Sequence, residues 1–233
     1  MTTTPPVHAP QTLFPVVDDC LQVGGIALPR LAERVGGTPF YAYDRRLITE
    51  RVQKLRAELP AALRLNFSIK ANPMPAVVQH MAALVDGLDV ASGGELKIAL
   101  DTGFDPAKVS FAGPGKSEAE LGQAVAAGAV VIAESEHELA RIAAIGERLG
   151  IVPAVMLRVN PDFELKSSGM RMGGGAKPFG IDAELIPQAL QLVHALQLDW
   201  HGFHVFSGSQ SLNAGAIADS HARGVALALR LAG

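Results

Sequence analysis

The sequence predicts an α/β fold of the (β/α)8 barrel type, on three observations. From Phe40 onward, short β-rich runs alternate with amphipathic stretches roughly every 20 to 40 residues, the rhythm of βα units that build a parallel sheet. Nearly every such run ends in a polar or charged residue, as expected where many strands feed one site at the top of a barrel. No G-x-G-x-x-G follows an early strand, so the open dinucleotide-binding sheet is not signalled. The chain has 233 residues, slightly short of the roughly 250 typical of a complete barrel, so the barrel is expected to be incomplete at its C-terminus.

Seven strands are expected: Phe40–Tyr43, Leu63–Ile69, Gly87–Ala91, Val109–Ala112, Val130–Ala133, Val155–Val159 and Trp200–Phe206. A helix candidate follows each. Ile48, Val52, Leu55 and Leu59 recur at helical steps, as do Ile186, Leu190, Val193 and Leu196. Three helices open on a capping box, Ser92…Glu95, Ser117…Glu120 and Ser135…Glu138, and Asn72-Pro73 reads as a cap with proline in the first turn. The segment before Phe40 stands outside this rhythm. Residues 1–12 read as a disordered tail. Residues 13–37 read as an arm with an isolated strand at Phe14–Val23 and a short helix at Pro29–Arg34, packing on a further domain. Residues 38–233 form the barrel.

Composition narrows the function. Net charge is −3 and the pI is about 6.2, which builds no basic field for nucleic acid or an anionic membrane. Hydrophobic residues make up 48% and charged ones 18%, with mean hydropathy +0.24. No apolar run reaches the roughly 18 residues of a membrane span, and the excess fits parallel strands buried on both faces. Cys20 is the sole cysteine, so no disulfide forms within the chain, which fits a reducing compartment. The N-terminus lacks a basic-then-apolar signal pattern, and a cytoplasmic location is expected. The seven histidines are scattered, with no Cys/His metal spacing, so no metal is expected.

The chemistry-bearing candidates lie at strand ends. Lys70 closes the second strand. Partly desolvated there, its amine would become a nucleophile toward carbonyls, although a lysine at a strand end also snorkels to the surface. Asp89 ends the third strand, where an acid would hold an ammonium or orient an imine. Glu95 follows it, but capping accounts for Glu95 as well as function does. Arg158 and Asn160 end the sixth strand, and Arg158 suits either anion and ring contacts or an ion pair with Asp89 or Glu134. His204, Phe206, Ser207, Gly208 and Ser209 end the seventh, where hydroxyls and free N–H groups would hold a phosphate or simply make a polar turn. The loop 161–180 carries Lys166, Arg171, Lys177 and Gly173-Gly174-Gly175. It reads as a functional lid or a plain connection, and is no P-loop, since no G-K-[ST] follows.

Against this background, Phe67-Ser68-Ile69-Lys70-Ala71-Asn72-Pro73 resembles the lysine motif of the ornithine/diaminopimelate decarboxylase family. These pyridoxal-phosphate enzymes of fold type III pair an alanine-racemase-like barrel with a β domain. Further segments match in order and spacing: Asp89 to Leu96, Gly113-Pro114-Gly115-Lys116-Ser117, Glu134 to Leu139, Leu157 to Pro161, and Gly202 to Gln210. The resemblance covers about residues 13–233. Asp162 to Met170, Met172-Gly173-Gly174 and Phe206 before Gly-Ser-Gln are most similar to exosortase-A-associated decarboxylases and to carrier-protein-linked glutamate decarboxylases.

The resemblance implies a Schiff base between Lys70 and pyridoxal 5'-phosphate, displacement of Lys70 by a substrate amine, and loss of the α-carboxylate as carbon dioxide. It implies that Asp89, Glu95 and Arg158 surround the cofactor, and that Ser209 contacts its phosphate. Phe206 stands where the family usually stacks a histidine on the cofactor ring. Phenylalanine still stacks but does not hydrogen-bond or titrate, and His204, two residues away, joins the cofactor-binding set. Family members continue with a glycine-rich phosphate loop, a glutamate for the pyridine nitrogen, and a β domain whose Cys/Asp pair and tyrosine act partly across a dimer interface. The sequence therefore reads as C-terminally truncated, with the activity belonging to a longer homodimeric protein acting on a small or carrier-tethered amino acid. A racemase on the same barrel, or a non-catalytic regulatory homologue, stands as the alternative.

Overall fold

The computed structural model describes residues 11–163, 170–171, 177–209 and 211–233. Lys166, Gly173-Gly174-Gly175, the side chain of Arg171, Gln210 and most of the expected tail lie outside them. The described residues form two compact units, divided after Leu63.

In the first unit a small antiparallel sheet is built from β1 (Val16–Val17), β2 (Cys20–Val23) and β3 (Ile26–Ala27). The single strand expected over Phe14–Val23 is thus two strands. Asp18 and Asp19 both take positive φ, 50° and 58°, as do Gly24 and Gly25 at 60° and 75°. Two-residue loops with both φ positive follow the right-handed twist of paired strands, so the chain folds back twice. Helix α1 (Leu28–Val35) has proline in its first turn and ends at Gly36 in the left-handed region, close to the expected Pro29–Arg34. Phe40–Tyr43 forms no strand. Tyr41 is 90% exposed, so no apolar face docks the segment into a ladder. The helix that follows, α2 (Arg45–Glu58), is capped by the Asp44 side chain and buries Val52.

The second unit repeats strand and helix: β4 (Asn66–Ser68), α3 (Pro75–Ala82), β5 (Gly87–Val90), α4 (Gly93–Asp101), β6 (Val109–Phe111), α5 (Glu118–Ala127), β7 (Val130–Ala133), α6 (Glu136–Leu149) and β8 (Ala154–Asn160). After the short strands β9 (Met170–Arg171) and β10 (Ile181–Asp182) come α7 (Ile186–Ala195), β11 (Asp199–Val205), β12 (Gly208–Ser209) and α8 (Ala214–Leu231). Strands β4, β5, β6, β7, β8 and β11 pair in that order, all parallel, and β10 extends the edge of β8 beyond the end of β7. The backbones of β9 and β12 pair antiparallel. This is the strand succession of an alanine-racemase-like α/β barrel.

Burial follows the prediction. All four residues of β7 are buried, and Leu88, Phe111, Leu121, Leu139, Ile142, Leu157 and Ile186 are fully enclosed, the both-faces burial of a parallel sheet. Helix α3 starts at Pro75, two residues later than expected, because the Asn72 side chain accepts the Met74 N–H and makes a turn there.

Candidate active site

Strand β4 stops at Ser68, one residue short of the expected end, and a 3-10 turn spans Ile69–Ala71. Ile69 is wholly buried and anchors the turn, which leaves Lys70 exposed at the C-terminal end of the strand. The Lys70 ammonium lies 5.3 Å from the centre of the Phe206 ring. Next along the sheet, Asp89 is in register with both Ser68 and Ser110. Its carboxylate accepts the Ser110 hydroxyl at 2.7 Å and the Ser68 hydroxyl at 3.2 Å, which fixes it across three strands.

The three expected capping boxes divide. Ser117 and Glu120 exchange both bonds. Ser92 and Ser135 cap their helices, but Glu95 and Glu138 each reach one residue further back, to the N–H groups of Ala91 and Glu134. Glu95 therefore ties down the peptide that ends β5.

Sequence reasoning named Glu134 only as one possible partner of Arg158, not as the centre of a charged network. Glu134, just past β7, takes three donors: the Gly113 N–H at 2.7 Å, the Arg158 guanidinium at 2.7 Å and the Gly180 N–H at 2.9 Å. Of the two acids considered as partners for Arg158, the structure thus chooses Glu134. Beneath it, Lys116 donates to the Gly113 and Ile132 carbonyls and to Glu138. Burial outweighs the pull of Glu138 and holds the Lys116 pKa below its ordinary 10.5. The polar residue at the end of β7 was the available signal for Glu134; Lys116 lies in the motif Gly113 to Ser117, but its partner lies beyond α5 and β7.

Strand β11 brings the last group. Gly202, at φ +124°, sits in a bulge that inserts one residue between Trp200 and Phe203. Register then sets His204 opposite Arg158. Since a one-residue slip reverses which face a side chain takes, the bulge decides that His204 turns toward the charged cluster. Its pKa is lowered from the ordinary 6.5, first by burial and then by the Arg158 charge, against smaller opposing pulls from Asp89 and Glu134. Its Nδ1 is buried with no hydrogen-bond partner among the described residues. Past β11, two cations lie over the Phe206 ring, Lys70 and Arg158, the latter 5.9 Å from its centre. Phe179 packs on Arg158 as well, at 4.8 Å. Ser207 bonds the Ser220 hydroxyl, and Ser207, Gly208, Ser209, Ser211, Ile217, Ser220 and His221 line a pocket of about 200 Å³.

Residues 45–231 match the pyridoxal-binding domain of the pyridoxal-dependent decarboxylases. The chain belongs to this family. A Niallia circulans decarboxylase named for L-glutamyl groups on the BtrI acyl-carrier protein is 36% identical, the match covering 78% of this chain and 43% of that protein. A diaminopimelate decarboxylase of Aquifex aeolicus is 35% identical over 84% of this chain and 47% of its own length. Among solved structures, diaminopimelate decarboxylase of Helicobacter pylori with L-lysine superposes with a TM-score of 0.74 at 26% identity, covering 87% of this chain and 52% of that one. The chain spans about half the length of the relatives it matches.

The cofactor of this domain is pyridoxal phosphate, and the residues present fit it. An exposed amine stands beside a flat aromatic face, serine hydroxyls line a pocket of about 200 Å³ that could take a phosphate, and a buried imidazole nitrogen lacks a partner among the described residues. Lys70, Arg158 and Phe206 share one cluster, and the charges of Asp89, Glu134, Arg158 and Lys70 all act on His204. Glu95 lies in α4 and bonds the peptide after β5, and Ser209 lies in the serine-lined pocket. Among the described residues, no cluster of His, Cys, Asp and Glu could hold a metal ion, and no helix is long and apolar enough to cross a membrane.

Proposed function

We propose that this chain is the cofactor-binding barrel of an amino-acid decarboxylase, with Lys70 as the amine that takes up the aldehyde of pyridoxal phosphate. The observation that carries the reading is the Lys70 ammonium 5.3 Å above the Phe206 ring: a nucleophile and a stacking surface side by side at the C-terminal end of parallel strands, where barrels place their chemistry. When bound, the cofactor supplies an electron sink for the bond that breaks. The chain's own residues do the rest. Phe206 covers one ring face. Ser209 and its neighbouring hydroxyls hold the phosphate. Asp89, locked by two serines, sits on the strand next to the one that leads to Lys70, and Glu95 fixes the backbone at the end of that strand. Lys70 Nζ is the group positioned to return a proton to the carbon that loses its carboxylate. Unlike a histidine, Phe206 contributes no proton.

The substrate proposed is a small amino acid, free or tethered to a carrier protein, as the name of the Niallia circulans relative suggests. Action in the cytoplasm and assembly as a homodimer complete the proposal. The test is borohydride reduction in the presence of pyridoxal phosphate, followed by peptide mapping, with carbon dioxide release measured on added amino acids. A pyridoxyl adduct confined to Lys70, lost in Lys70→Ala, is the expected result. An adduct elsewhere, or none, would overturn the assignment of Lys70.

A further inference from the structure

We infer that Glu134 is a positioning residue for Arg158: its carboxylate fixes the guanidinium between the rings of Phe179 and Phe206 and so presents that charge to the cofactor. The inference rests on the proposed function, in which Phe206 and Arg158 line the cofactor site.

The geometry leaves Glu134 no freedom. Its three donors come from three different segments, the loop after β6, strand β8 and the turn before β10. One oxygen is shared by Gly113 and Arg158, and the other is taken by Gly180. Neither oxygen is able to rotate away without abandoning a donor, and an unpaired buried N–H is costly. The main chain of Glu134 is held too, since its own N–H donates to Glu138, whose carboxylate is clamped by Lys116. The anchor is thus fixed at both ends of the side chain.

Arg158 is the movable partner. Its side chain is 8% exposed and that of Glu134 2%, so the pair acts with little solvent screening. A guanidinium stacks readily on aromatic faces, and here it packs on Phe179 at 4.8 Å and Phe206 at 5.9 Å. Two rings define a slot but not the rotation of the guanidinium within it. The Glu134 bond at 2.7 Å supplies that rotation. The charges balance as well: Lys116 and Arg158 against Glu134 and Glu138, all nearly buried. Removing the Glu134 charge would leave a net positive site facing His204 and Lys70, and would release the 2.7 Å bond that orients Arg158.

A double-mutant cycle separates positioning from scaffolding. Pyridoxal phosphate is titrated into the 233-residue chain by the absorbance of bound cofactor, for the wild type, E134Q, R158Q and E134Q/R158Q. Acting through Arg158, E134Q should weaken the cofactor about tenfold, yet change nothing further on the R158Q background. E134D should regain part of the loss. Unchanged affinity in E134Q, or two losses that simply add, would overturn the inference. A second readout needs no cofactor: solvent exchange of the Arg158 side-chain N–H by 15N NMR. Protection in the wild type that E134Q abolishes is expected, and equal protection in both chains would overturn it. A wild type that takes up no pyridoxal phosphate would sink the proposed function, while the exchange measurement would still decide whether Glu134 orients Arg158.

Discussion

Lys116 Nζ lies 3.0 Å from both carboxylate oxygens of Glu138, and their side chains are 1% and 5% exposed. The Gly113 and Ile132 carbonyls take the remaining ammonium protons. Such a pair gives little net stability over an apolar replacement, but breaking it strands a charge in the interior. Lys116→Met and Glu138→Leu should each lower the unfolding free energy by about 3–5 kcal/mol. The double substitution should recover most of that, less the bond lost to the Glu134 N–H. Urea denaturation of the four chains checks it, and additive losses would contradict it.

Acid should unfold the chain partly through His204. Its pKa is lowered from 6.5 in the folded state, by burial first and the Arg158 charge second. Between the folded value and 6.5 the unfolded chain binds more protons, so stability rises with pH across that window. The contribution is complete above 6.5 and drains away as pH falls below it. Urea midpoints taken from pH 7 downward should decline more steeply for the wild type than for His204→Phe.

Phe206 should govern cofactor affinity without governing its pH dependence. Phe206→Ala removes a ring that meets Lys70 at 5.3 Å and Arg158 at 5.9 Å, and a loss of about tenfold in pyridoxal phosphate affinity is expected. Phe206→His should keep the stacking surface and add a titratable imidazole beside the Lys70 and Arg158 charges. The pH profile of bound-cofactor absorbance distinguishes the two, since only the histidine variant should gain a new transition.

Gly180 should tolerate no side chain. Its φ is +76°, and a Cβ there would lie 2.9 Å from the Arg158 carbonyl oxygen and 3.1 Å from the Asn160 nitrogen, where neither backbone atom yields cheaply. Gly180→Ala should cost about 2 kcal/mol or more and disturb the N–H that Glu134 accepts. Gly24→Ala is the comparison: its φ is +60° with open space around the added carbon, so only the conformational term applies. Thermal denaturation of both variants tests the difference.

Six of the seven expected strands form, because strand and helix periodicities are local properties that burial only reinforces. Phe40–Tyr43 fails for the complementary reason. Its β-rich residues supply propensity, but a strand exists only with a partner ladder, and Tyr41 is left 90% exposed. The hairpins at Asp18-Asp19 and Gly24-Gly25 were not anticipated, although Gly-Gly between apolar runs is a strong turn signal; Asp-Asp is a weak one.

By itself the sequence determined the βα rhythm, the family, and the candidate residues at the strand ends, since each is written in contiguous motifs such as Phe67 to Pro73 and Asp89 to Leu96. Tertiary structure alone decided which charges meet. Arg158 faced two acids in the sequence, and strand order with register gave it Glu134. A single extra residue at the Gly202 bulge turned His204 toward Arg158, and Lys116 found Glu138 across 22 residues of chain. Electrostatic pairing depends on distances of a few ångströms between segments remote in sequence, and those distances come into being only when the sheet assembles.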